Sequence, residues 1–303
     1  ATVGILCGVL LVQIVAYILT GEAYLLAINS KIIYLKDVGG YLNYRSLWYN
    51  NLTYYGFKPA AFFTEPAKFV QYVSPCLVLS LLMTRKKHYL FDIILTVCIF
   101  LTTSASGVAY AVIAWGAWLV SNRNKHKGFK CVVIGGGILL ILYLVFFNKS
   151  DIWFIERFKE IGATGINSGN QRIIRGWIIF GKIPVVNQLF GVGVNNASYY
   201  IESAGITTIY DGGYVGYMSA ISQIFVTSGV VGGLLFIFLL FKYVRSQKQV
   251  VIALTVLLLA IVFSSSIINE PTFGLIVAII EAQAFQPGED KNEDIHNDIA
   301  LYR

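Results

Sequence analysis

Charged residues are scarce in this sequence. They make up 13% of a 303-residue chain, where a soluble domain carries about 25%. Hydrophobic residues supply 56%, and the mean hydropathy is +0.68. So little charge excludes a disordered chain and fits an ordinary cytosolic enzyme poorly. Cysteine is sparse as well: Cys7, Cys76, Cys98 and Cys131 lie in or beside apolar segments, with no CxxC and no metal-ligand spacing. That excludes a secreted disulfide scaffold and leaves them as small apolar fillers. The three histidines, His88, His126 and His296, stand far apart in the chain, so no metal site is expected. The net charge of +7 does not point to nucleic acid, because the basic residues fall in short clusters between apolar runs.

Those apolar runs are what the chain has in abundance. A helix needs about 20 apolar residues to cross a bilayer, with a range of roughly 17 to 25. On that measure, spans are expected at about 2–20, 66–84, 89–104, 106–121, 131–148, 215–241, 250–268 and 271–286. The expected fold class is an all-α polytopic membrane protein with about eight transmembrane helices. It forms one transmembrane helical domain over 1–286, followed by an acidic tail over 287–303. A tight polar turn, Thr103-Ser104-Ala105-Ser106-Gly107, separates the third and fourth spans. Gly135-Gly136-Gly137 in the fifth and Gly229, Gly232 and Gly233 in the sixth are expected to let helices approach closely.

Three short loops carry the positive charge: Arg85-Lys86-Lys87, then Arg123, Lys125, Lys127 and Lys130, then Lys242, Arg245 and Lys248. They alternate correctly to share one side, and the positive-inside rule makes that side cytoplasmic. The long segments at about 21–65 and 149–214 then face outside, and the tail inside. No charged n-region with a cleavage site precedes the first span, so it is not a signal peptide. The chain starts at Ala1 without Met and is expected to be a fragment of a larger bundle, with earlier spans missing.

The outer segments hold the candidate chemistry. The first carries Arg45, Lys58 and Glu65 and runs into Thr64-Glu65-Pro66. That tripeptide suits a helix start, with threonine as cap, proline in the first turn and a carboxylate at the positive dipole end. Glu65 can equally be a base, or an orienting partner for a substrate hydroxyl. In the second segment Asn170 is placed to cap a helix running to Lys182, with Pro184 stopping it. Arg172, Arg175 and Lys182 would fall on one face of that helix. Two readings stand: a helix resting basic side out on lipid headgroups, or two arginines clamping a diphosphate with their planar forks. Gly191-Val192-Gly193-Val194-Asn195 follows no strand, so it is a glycine turn and not a dinucleotide loop. Beyond it come Tyr199, Tyr200, Tyr210, Tyr214 and Tyr217, with Asp211 among them. These tyrosines suit a membrane belt or a sugar ring, and the sequence does not separate the two.

Taken together these segments resemble a known family. Phe57-Lys58-Pro59-Ala60-Ala61-Phe62-Phe63-Thr64-Glu65-Pro66-Ala67-Lys68-Phe69 is similar to the Arg-Pro-Ser-Gly-x-Phe-x-Glu-Pro-Ser-x-Phe stretch of bacterial Wzy-type polysaccharide polymerases, of the O-antigen polymerase and ligase superfamily. Ser104-Ala105-Ser106-Gly107 resembles that family's Ser-x-x-Gly turn. Arg172 and Arg175 followed by Gly191–Asn195 resemble its arginine-bearing outer loop ending in Gly-x-Gly, and Phe225–Gly233 resembles its glycine-bearing span. Three departures stand out. Lys58 takes the place of arginine, Ala61 that of glycine, and the second outer segment has no histidine. The related ligases use an outer histidine, so the resemblance favours a polymerase.

The resemblance implies a metal-independent, cofactor-free glycosyltransferase of the bacterial plasma (inner) membrane. It would join undecaprenyl-diphosphate-linked oligosaccharides on the outer face, among membrane lipids and with a chain-length regulator as a protein partner. Arg172 and Arg175 would stabilise the departing diphosphate, with Arg45, Lys58, Lys182 and Asn195 contacting diphosphate or sugar. Glu65 or Asp211 would serve as the base. The rivals are an oligosaccharide ligase and, in a different class, a lipid-linked-sugar flippase. A transporter should carry charge deep in its spans, whereas Asp92 and Glu281 fall toward the expected cytoplasmic ends.

Overall fold

The computed structural model describes residues 2–21, 59–63, 65–83, 89–121, 168–209, 218–267 and 270–285. Among these there is no strand; the architecture is all helical. The helices are α1 (Thr2–Thr20), α2 (Pro66–Met83), α3 (Tyr89–Leu101), α4 (Ala105–Ser121), α5 (Ser168–Ile173), α6 (Arg175–Lys182), α7 (Val185–Phe190), α8 (Ala197–Ser203), α9 (Ala220–Val244), α10 (Gln249–Ser264) and α11 (Pro271–Phe285). Three of them, α1, α2 and α9, are long and apolar enough to cross a membrane. Four more, α3, α4, α10 and α11, are apolar but shorter. At 1.5 Å per residue the 13 residues of α3 reach about 20 Å, short of a hydrocarbon core of about 30 Å. The expected span at 131–148 lies outside the described residues.

Lipid offers apolar helices no hydrophobic reason to associate, so close packing must hold them. Small residues make it possible between α2 and α4. Gly107 faces Val70 so closely that a Cβ would sit 3.0 Å from its side chain and from that of Ile99. Ala111 and Ala114 follow, fully or almost fully buried, above Trp118. Phe69, Leu77, Leu95, Leu254 and Ile261 complete one continuous core. The turn between α3 and α4 is shorter than the sequence reading had it. It covers Thr102–Ser104, with Thr103 at φ 56, and Ser106 and Gly107 already belong to α4. Gly107 therefore serves helix contact and not chain reversal.

Hydrogen bonds fix which helix ends lie together. Ser219 N donates to Arg172 O at 2.6 Å and Ala220 N to Ser265 O at 2.7 Å. These bring α5, the start of α9 and the end of α10 to one pole. At the other pole Tyr243 Oη donates to Glu281 Oε1, and Lys248 Nζ to the Gln283 carbonyl at 2.8 Å. Thus α9 runs from the first pole to the second, α10 runs back, and α11 ends at the second.

The glycines of α9 do something the sequence reading did not anticipate. Gly229 has φ 68 and ψ −172, so α9 is two helical pieces joined at a kink. The kink exposes carbonyls that a straight helix would satisfy. Val192 N takes up Val226 O and Gly193 N takes up Thr227 O, both at 3.0 Å. The contact is reciprocal: Gly229 lies against the Leu189 and Phe190 backbone, and Gly191 against that of Thr227 and Ser228. Any side chain at either position would collide with backbone. Gly233 makes room for the Phe225 ring of its own helix. Gly229 thus lets the kinked α9 receive the end of α7 and the loop that follows it, a close helix approach of the kind expected, whereas Gly233 accommodates a ring of its own helix.

Candidate functional site

The pole carrying α5 is where polar side chains gather. Two of its helices begin with the same dipeptide: Glu65-Pro66 opens α2 and Glu270-Pro271 opens α11. Proline fits a first turn because its missing N–H costs nothing there. The Glu65 carbonyl accepts from Lys68 N at 3.1 Å, and the Glu270 carbonyl from Phe273 N at 3.0 Å. Each carboxylate therefore stands at a positive helix end, and each meets a cation. Glu65 Oε2 lies 3.6 Å from an Arg172 nitrogen; Glu270 Oε1 lies 2.9 Å from Lys68 Nζ. The first distance is an ion pair but too long for a hydrogen bond.

Of the residues singled out in sequence, the structure brings together Glu65 and Arg172, from segments 107 positions apart. The other described candidates, Arg175, Lys182 and Asn195, lie in different surroundings. The helix expected to run from Asn170 to Lys182 is broken at Ile174 into α5 and α6. Asn170 is no cap; it lies within α5, fully buried. Arg172 and Arg175 differ in exposure. Arg172 is about one-fifth exposed, whereas Arg175 is 3% exposed. The neighbouring Gly176 explains the difference. It lets α6 press on Ser222 and Met218 so tightly that a Cβ there would overlap the Ser222 side chain. Lys182, at the far end of α6, is exposed and donates to Thr207 O at 2.5 Å. Asn195 is exposed in the turn after the Gly-x-Gly, with φ 62. Arg45, Lys58 and Asp211 lie outside the described residues.

Sequence reasoning missed the second ion pair, although Glu270-Pro271 repeats the Glu-Pro signal already noticed at Glu65. It also missed a set of hydroxyls beside Arg172. Tyr110 Oη and Ser264 Oγ are 2.6 Å apart, and Ser104 Oγ and Ser106 Oγ are 2.9 Å apart. A third omission is Gln13. From within α1 its Nε2 donates to Ala61 O at 3.2 Å, and its Oε1 accepts from Ala61 N at 2.8 Å. That double bond holds the buried Pro59–Ala61 turn, in which Ala61 adopts φ 50. The positive φ gives a physical reason why the resembling stretch has glycine at that place.

The arrangement holds a cation and a carboxylate side by side at one end of an apolar helical bundle. Among the described residues no cluster of histidine, cysteine or acidic side chains could hold a metal ion. No family model, no curated protein and no solved structure matches this chain.

Proposed function

We propose that this chain is a Wzy-type polysaccharide polymerase of the bacterial inner membrane, working at the pole that carries Arg172 and Glu65. In this reading the seven apolar helices and the segment 131–148 give eight spans, with that pole outside. An acceptor repeat unit's hydroxyl attacks the anomeric carbon of the donor chain. The bond from that carbon to the diphosphate oxygen breaks, undecaprenyl diphosphate leaves, and the hydroxyl proton passes to a base. Such a reaction asks for a fixed cation where charge develops on the leaving group and a carboxylate near the hydroxyl. Arg172 fills the first role and Glu65 the second.

One observation supports this most: separate weak motifs converge. The Glu-Pro stretch meets the arginine loop through Glu65 and Arg172. The Ser-x-x-Gly turn packs on the same α2 through Gly107 and Val70. The Gly-x-Gly loop seats on the glycine-bearing span through Gly191 and Gly229. The flippase reading gains a broken helix, α9, which transporters often use. Its break, however, is filled by the chain's own Val192 and Gly193 amides, so it does not line an open path.

The test is the glycan made in a deletion strain carrying variants. Loss of the protein should leave single repeat units, with longer chains absent. Arg172→Ala should act likewise at normal protein level, since a lost contact to developing charge costs about 2 to 4 kcal/mol, roughly 30- to 1000-fold in rate. Arg172→Lys should recover only part of the polymer, because lysine keeps charge without the planar fork. Glu65→Gln should also stop polymerisation; a carboxylate that only serves the helix end would tolerate it. Long chains persisting on undecaprenyl diphosphate in the deletion strain would instead mark a ligase, and single units confined to the inner leaflet a flippase.

A further inference from the structure

α7 is built inside out for a helix in water. Its apolar residues Val185, Val186, Leu189 and Phe190 are exposed, Val186 to 67% and Phe190 to 68%. Its polar residues are the half-buried ones. Asn187 Nδ2 donates to Tyr200 Oη at 2.9 Å, and Gln188 Nε2 to Ile183 O at 3.0 Å. The neighbouring α8 is ordinary by contrast: Ala197 and Ile201 are buried while Glu202 and Ser203 are exposed. Both helices belong to one segment, so the inversion is particular to α7.

Three further facts agree. No charged residue stands between Lys182 and Glu202. The backbone leaving α7 is satisfied within the protein, with Gly191 N on Asn187 O at 2.7 Å and the next two amides on Val226 and Thr227. That condition must hold for irregular backbone at membrane depth. Lastly, α7 is continuous with the exposed apolar flank of α9. Leu189 and Phe190 lie against Gly229, and just past it Val231, Leu234, Leu235 and Phe238 are all exposed.

We propose that α7, with the exposed Val194 that follows it, is immersed in the acyl chains of the bilayer as an in-plane helix. The segment around it is then not wholly aqueous: α8 faces water while α7 faces lipid. The occupant of this surface is lipid hydrocarbon, chosen over a second copy of the chain because α7 abuts, at Gly229, a helix long enough to span whose own residues just beyond are exposed and apolar. The inference does not depend on the polymerase reading.

Site-directed spin labelling tests it. Single cysteines replace Val186, Ser203 and Leu234 in a cysteine-free full chain, which is labelled with a nitroxide and reconstituted in phosphatidylcholine–phosphatidylglycerol vesicles. Collision with oxygen, which partitions into lipid, is compared with collision with a water-soluble nickel chelate. Val186→Cys should match Leu234→Cys, with high oxygen and low nickel accessibility, and Ser203→Cys should show the reverse. A Val186 label as open to nickel as that at Ser203 would place α7 in water and overturn the proposal. A label shielded from both reagents, with dipolar broadening between labels, would show a second copy there and overturn it equally. Glycan synthesis is not the readout, so failure here and failure of the polymerase reading are separable.

Discussion

Gly229→Ala is the sharpest perturbation the fold invites. The residue has φ 68 and ψ −172, a conformation open to glycine and costing other residues about 1 to 3 kcal/mol. A Cβ there would also overlap the Leu189 carbonyl and the Phe190 amide. Both are backbone, so no rotamer change relieves the contact. The loop must lift from α9, and two hydrogen bonds go with it, Val192 N to Val226 O and Gly193 N to Thr227 O. At about 1 kcal/mol each, the total loss comes to about 3 to 5 kcal/mol. For a chain of this size that corresponds to a fall of roughly 6 to 10 °C in the melting midpoint. Heating detergent-solubilised protein and measuring the surviving monodisperse fraction by fluorescence-detected size exclusion reads this directly. Gly181→Ala is the control, because nothing lies within 4 Å of a Cβ at that exposed helical position. It should be neutral or slightly stabilising. A Gly229→Ala protein melting within a degree or two of wild type would refute the kink-and-loop account.

The turn at Ala61 should respond in the opposite direction. Ala61→Gly removes a side chain from a left-handed conformation and should raise stability by about 0.5 to 1 kcal/mol, seen as a higher midpoint in the same assay. Gln13→Leu strands both the N–H and the carbonyl of Ala61 away from water and should cost about 2 to 4 kcal/mol, read as a lower midpoint. Arg175→Ala should lower the midpoint by several degrees, since truncating so large a buried side chain removes its packing. Arg172→Ala, at the rim, should leave the midpoint almost unchanged.

The sequence disclosed the helices well and their joints poorly. Apolar runs placed α1, α2 and α11 to within a residue or so, because span length is a property of the run itself. The kink of α9 was hidden, since Gly229 reads the same whether it seats a helix, a loop or nothing. Only the partner backbone at Leu189 and Phe190 decides, and that partner lies 40 positions away. Gln13 was hidden for a related reason. A lone glutamine in an apolar run carries no mark of what it bonds. Glu270, by contrast, was legible and overlooked: its proline neighbour repeats the signal at Glu65.

The two arginines show most plainly where spacing fails as an argument. Three residues apart on an unbroken helix, they would point within about 60° of each other, which is what made a shared diphosphate attractive. The helix is interrupted at Ile174, and the two side chains end in different surroundings. Gly176 then draws α6 onto Ser222 and takes Arg175 inward with it, while the Arg172 carbonyl binds Ser219 N and its side chain turns to Glu65. The two arginines of one short motif thus end in different surroundings, Arg175 buried and Arg172 paired with a carboxylate at the start of α2. The other ion pair at this pole, Lys68 with Glu270, likewise joins residues that nothing in the sequence spacing would have brought together.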